Sequence, residues 1–237
     1  MKGAQAGARV RRKTLSCCSG LSTTEIVVLI VVAGVISILA WPAWKSALVK
    51  RDLTRTMNHG RELYLAALRM ATDGASKSDA SLAWAGDYPV NSLADYCTRL
   101  LEKNYLKPVD LERMLSAADV TCRVSMSGPP ATAILSGQSA LKLYKVKTAD
   151  PSSTIFAASA NYVYATELKA GTVPFGDAGF VVIRKSGDAG VYKKIQATPA
   201  GYDNDPRKFQ LYLGALPGAT PGDVRPGDGT AVLTGPP

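Results

Sequence analysis

Residues 19–44 read SGLSTTEIVVLIVVAGVISILAWPAW, and this stretch decides how the rest of the chain is read. From 26 to 39 every side chain is Ile, Val, Leu, Ala, Gly or Ser, yet Glu25 stands directly before the run. A carboxylate at the centre of a bilayer costs about 2.5–3.5 kcal/mol on insertion scales, and less near an edge. A neutral polar residue would cost less still, so the charge asks for a partner. Residues 21–44 are 24 in number, enough to span a bilayer as one helix, for which about 20 are needed.

The flanks orient the segment. Lys2, Arg9, Arg11, Arg12 and Lys13 precede it with no acidic residue among positions 1–20, and Trp41 and Trp44 close it. Positive charge holds the N-terminus in the cytoplasm, and tryptophans suit the far interface, so everything from Lys45 onward is expected to be translocated. A cleaved secretory signal has an apolar core of about 7–15 residues ending in small residues. Here the core is longer and ends Ala40-Trp41-Pro42-Ala43-Trp44, which reads as a retained anchor.

This arrangement resembles the prepilins of type IV pili and the pseudopilins of type II secretion systems. The shared features are a short basic leader ending in Gly20, a segment opening at Leu21 with Glu25 as its fifth residue, and the apolar run behind it. The resemblance covers roughly the first fifty residues. It implies cleavage by a prepilin peptidase between Gly20 and Leu21, and N-methylation of Leu21. It also implies assembly in which the Glu25 carboxylate neutralises the new amine of a neighbouring subunit. Pro42 lies where many members of that family carry a helix-bending proline. The implied partners are other pilin or pseudopilin subunits, the prepilin peptidase and an inner-membrane assembly platform. The implied location is the bacterial inner membrane, crossed once, with a cytoplasmic N-terminus and a periplasmic head. A type II secretion pseudopilin is the leading expectation. A type IV pilin for adhesion, motility or DNA uptake is the alternative within the family. A signal-anchored periplasmic binding module that never assembles is the alternative outside it.

Beyond Pro42 the helical period continues. Val49, Leu53, Met57, Gly60, Tyr64, Leu68 and Ala71 fall on one face, and Asp73-Gly74 supplies a stop with glycine at the C-cap. Residues 22–73 as one helix would extend about 78 Å. The chain thus divides into a leader (1–20), a membrane helix (21–44), an amphipathic stalk (45–74), a head (75–214) and a tail (215–237). The tail, rich in Pro, Gly, Ala and Thr, reads as flexible or extended. In the head, Asn91-Ser92 opens a helix expected to run to 106, with another at 109–117. Strands are expected at 120–126, 141–146, 154–160, 180–185, 191–195 and 209–213, where β-branched and aromatic residues concentrate. Helices first and strands later make an α+β fold: a pilin-like stalk carrying a small antiparallel-sheet head.

The chemistry-bearing residues are few. The net charge of +9 suggests a polyanion, but five of those charges sit in residues 1–20, and the four left do not call for nucleic acid. Cys97 and Cys122 lie in the exported part, 25 positions apart. A disulfide between them would contribute about 3 kcal/mol; two separate buried thiols are the other reading. His59, the one histidine, is expected on the stalk surface. Two copies of Gly-Asp-Ala-Gly, at 176–179 and 187–190, read as hairpin turns. Asp203 and Asp205 in Tyr-Asp-Asn-Asp are candidate calcium ligands, short of the six to eight oxygens that ion takes. No other cofactor is expected. No G-x-S-x-G, phosphate loop or zinc-spaced cluster occurs, and a non-enzymatic role is expected.

Overall fold

In the computed structural model the described residues are 22–129 and 131–235. The first helix, α1, spans Thr23–Lys77, and the chain divides into two compact units, Met1–Lys45 and Ser46–Pro237.

In the first unit α1 carries the apolar run with its side chains outward: Ile30 is 65% exposed, Ile38 74% and Trp44 67%. The helix breaks over residues 39–42, into Thr23–Ile38 and the stretch that begins at Ala43. Pro42 stands in that break, and with no amide proton it removes the bond to the carbonyl of residue 38. Among the described residues no single helix is long and apolar enough to cross a membrane. The bent pair Thr23–Ile38 and Ala43–Lys77 meets the length and composition test together.

The second unit is a mixed helix and antiparallel-sheet domain, so the α+β class holds. It contains α2 (Leu93–Glu102), α3 (Pro108–Leu115), β1 (Cys122–Ser127), β2 (Thr132–Gly137), β3 (Leu141–Leu143), β4 (Ile155–Ser159), β5 (Phe180–Arg184), β6 (Ala189–Tyr192) and α4 (Pro206–Tyr212). Strands β3-β4-β5-β6 form an antiparallel meander, with Leu141 opposite Ser159, Ala158 opposite Val182 and Val182 opposite Gly190. The β1–β2 hairpin is a separate two-stranded sheet.

Burial in β4 and β5 is nearly continuous rather than alternating, as expected when both faces of a sheet are covered. One face meets α1. Phe156 packs edge-on against Tyr64 and Trp84, with ring centres 5.6 and 5.9 Å apart. A Cβ built on Gly60 would overlap the end of Ile183 and lie 2.9 Å from its Cγ1, so glycine here lets helix and sheet backbones approach. The other face is closed by aromatic pairs, Tyr162–Phe180 at 4.1 Å and Tyr164–Phe209 at 5.3 Å, the latter bringing in α4. The hairpin packs with α2 and α3. Ala133 N–H donates to Thr98 Oγ1 of α2, and Val124 N–H donates to Glu112 Oε2 of α3.

Several elements differ from the sequence reading. The α1 stripe is broader than expected: Leu63, Ala67 and Met70 are buried, while Leu68 is exposed. Gly74 does not end the helix, which continues to Lys77 and turns at Ser78 in the left-handed region. Gly74 serves close packing instead, since a Cβ there would lie 2.9 Å from that of Leu82. Helix α2 stops at Glu102, with Asn104 left-handed. Residues 209–213 are helical, not a strand, because Asp205 caps and Pro206 opens α4. Residues 194–197 form a 3-10 turn rather than extending β6, and β2 was not anticipated.

The segment 215–235 is anchored, contrary to the expectation of a flexible tail. Leu233 is 2% exposed, and Val232 and Thr234 bridge to Tyr144 and Ser92. Gln210 of α4 donates to the carbonyls of Thr220 and Asp223 and accepts from Gly222 N–H. Isolated backbone bonds, such as Leu233 N–H to Leu143 O and Lys145 N–H to Ala231 O, join these side-chain anchors in holding the segment.

Candidate functional site

At the head of α1, Ser22 and Glu25 cap each other. Ser22 N–H donates to Glu25 Oε2 at 2.8 Å, and Glu25 N–H donates to Ser22 Oγ at 3.3 Å. Ser22 Oγ also lies 2.7 Å from Thr24 Oγ1. This is a capping box, in which the N-cap hydroxyl and the N3 carboxylate satisfy two amides that a helix start leaves unpaired. The Ser-x-x-Glu signature was present in the sequence but not used there. The reason is local. Residues 22–24 are polar because they begin the helix, and the carboxylate sits in its first turn, where the helix dipole favours negative charge. Gly20 and Leu21 lie outside the described residues. Glu25 therefore opens an apolar helix while already holding one local donor.

The other sequence-nominated residues are not brought to Glu25. Cys97, on the buried face of α2, and Cys122, at the start of β1, are both free thiols, so the expected disulfide is not formed. Both behave as small core side chains. Burial pushes both thiols up, Cys122 to about 11, and Cys122 adds to the rise at Cys97. Asp203 pairs with Lys208 at 2.9 Å, and that hydrogen bond holds its carboxyl below the usual range. Asp205 accepts from the amides of Arg207 and Lys208 as the α4 cap. The two candidate calcium ligands are thus already engaged, Asp203 by the Lys208 ammonium and Asp205 by backbone amides. Among the described residues no group of three or more His, Cys, Asp or Glu is placed to hold a metal ion. The Gly-Asp-Ala-Gly copies fall on either side of β5. Gly187 takes a positive φ against the Tyr64 ring, whose hydroxyl donates to Lys185 O at 2.7 Å.

Two polar features were missed by sequence reasoning. His59 is not on the surface but 7% exposed. Burial, then the Arg55 charge, pull its pKa down, with Glu62 opposing and Arg113 reinforcing. The second is a network around Asp228. Lys142 pairs with its Oδ2, Tyr144 donates to its Oδ1 at 2.7 Å, and Tyr164 N–H donates to the same oxygen at 3.1 Å. Lys142 also donates to Tyr162 O. Burial lowers the Lys142 pKa, and Asp228 pushes it back up. Nothing local in the sequence signals a pair 86 positions apart.

Compared with protein-family models, curated proteins and solved structures, the chain matches none.

Proposed function

We propose that the chain is a structural subunit of a filament assembled from the bacterial inner membrane, a pseudopilin of type II secretion. The observation that carries this reading is the capped helix start: a glutamate in the first turn of an apolar helix whose side chains are exposed from Ile26 to Ile38 and again at Trp41 and Trp44. Such a surface needs covering, since burying an Ile or Val contributes about 1.5–3 kcal/mol. Lipid covers it before assembly and neighbouring helices cover it afterwards. Cleavage after Gly20 would create an amine on Leu21, four residues from Glu25. In a low-dielectric bundle an unpaired carboxylate is costly, so pairing with a neighbour's amine sets the axial register.

In this role the second unit is the periplasmic head and the protein performs no catalysis. Its partners are copies of itself or related subunits, the prepilin peptidase and the assembly platform. A type IV pilin is the close alternative.

A second reading, a signal-anchored binding module that never assembles, has one observation in its favour: the bond from Ser22 N–H gives the Glu25 carboxylate a partner without any neighbouring subunit. Glu25→Gln separates them. Gln keeps the cap acceptor and loses the charge, so a filament subunit is expected to remain in the membrane and lose cysteine-trapped subunit contacts at least tenfold. Unchanged trapping, with wild-type subunit absent, would refute the register role.

A further inference from the structure

The flank of α1 between Lys50 and Glu62 meets α3 in a cationic hollow that the filament reading leaves unexplained. Two clefts, of about 560 and 290 Å³, lie on either side of Arg51 and Arg55. The larger is also lined by Lys50, Thr54, Asn58, His59 and Glu62, and the smaller by Asp52, Thr56 and Arg113 with residues 116–118. Four cations therefore bound the hollow, opposed by three carboxylates. Arg113 contacts Glu62 at 3.0 Å and Asp110 at 3.7 Å, and Arg51 contacts Asp52 at 3.2 Å. The side chains of Lys50 and Arg55 make no hydrogen bond or ion pair among the described residues.

His59 supplies the second, independent observation. Its ring lines the larger cleft and is more than nine-tenths buried, yet Nδ1 has no hydrogen-bond partner. A buried polar atom left unpaired costs about 1–3 kcal/mol, so a ligand acceptor there would relieve it. Two unpaired cations, a neutral imidazole donor and the Asn58 amide match a group with several acceptor oxygens and negative charge. A guanidinium fork favours phosphate geometry, and because Asp52 and Glu62 are engaged by Arg51 and Arg113, the charges of Lys50 and Arg55 are the ones left for a ligand.

We propose that this hollow is a binding site for a phosphate group, with Arg55 and Lys50 as its charged contacts and His59 Nδ1–H as its buried donor. The phosphate belongs either to an anionic phospholipid headgroup or to a free phosphate. The site stands whether or not the chain assembles into a filament.

The test uses the full chain in neutral detergent. Inorganic phosphate is titrated by calorimetry, and dioleoyl phosphatidylglycerol binding is counted by native mass spectrometry, with dioleoylglycerol as the phosphate-free comparison. One equivalent of phosphate or phosphatidylglycerol is expected, with none of the diacylglycerol. Arg55→Gln is expected to weaken binding at least tenfold, Lys50→Gln to weaken it in the same direction, and Lys169→Gln, an exposed lysine elsewhere, to leave it unchanged. All three residues are solvent-exposed, so these variants are expected to fold. Binding of phosphatidylglycerol without inorganic phosphate identifies a lipid headgroup; binding of both identifies the phosphate itself. Failure of both probes to bind, or wild-type affinity in Arg55→Gln and Lys50→Gln, overturns the proposal.

Discussion

At the scale of single residues, Glu25 and His59 show how position gives a polar side chain its role. Glu25 reads in sequence as a charge in search of a partner. In the folded chain it is first a helix cap, bonded to Ser22 N–H, and the two roles are compatible because a carboxylate accepts several hydrogen bonds. His59 is buried and its pKa lies below the ordinary 6.5. A folded-state pKa below the unfolded one means the unfolded chain takes up the proton first. Stability from this site is therefore complete above about pH 6.5 and is lost as pH falls below it. Since His59 is the only histidine, its contribution can be isolated. Urea unfolding of the full chain in detergent, followed through Trp84, is expected to lose midpoint between about pH 7.5 and 5.5 more steeply in wild type than in His59→Gln. Equal slopes would show that the ring is not buried as neutral imidazole. The burial was hidden in sequence because a histidine flanked by Arg55, Asn58, Arg61 and Glu62 has the local composition of a solvated face. Only its burial in the folded chain reverses that.

At the scale of elements, local signals were legible where they act through neighbours in sequence. Ser92 caps α2 through Asp95 N–H, as its position before Leu93 suggested, and β4 and β5 form where the apolar runs lie. The same kind of signal was present and overlooked at α4, where Asp205-Pro206 marks a helix start as clearly as the aromatic run 209–213 suggests a strand. The cap and the proline win because they fix the first turn directly, whereas strand propensity depends on a partner strand that is absent there. The anchored segment 215–235 was not legible at all. Its composition lacks periodicity, and of the residues that hold it Lys142 and Tyr144 are distant in sequence. Asp228 is the decisive anchor, since it receives the part-buried Lys142 and two further donors. Asp228→Ala is expected to lower the unfolding free energy by about 3–5 kcal/mol, because it leaves the lysine unpaired. Pairing the change with Lys142→Met should restore most of the loss. In limited proteolysis the single variant should be cut within 215–235 while wild type resists. Resistance equal to wild type would show that the segment is held elsewhere.

At the scale of the whole molecule, the sequence divides where the fold divides. The first unit ends at Lys45, one residue beyond the apolar segment, and the second holds the hydrophobic core. The expected stalk and head are not separate there: α1 from Leu53 to Met70 is part of the same core as the sheet, joined through Gly60, Tyr64 and Phe156. Packed this way, the second half of α1 would pass a force into the sheet, as the proposed filament role asks. The thiols of Cys97 and Cys122 are core side chains, so the core itself carries the stability that a disulfide was expected to add.

The proposed register role rests on the amine that cleavage after Gly20 would create, four residues from Glu25. The most direct measurement is the intact mass and N-terminal sequence of the chain purified from the membranes of a cell that carries a prepilin peptidase. A mature chain starting at Leu21, heavier by one methyl group on its amine, is expected. A chain that still begins at Met1 or Lys2 would contradict it.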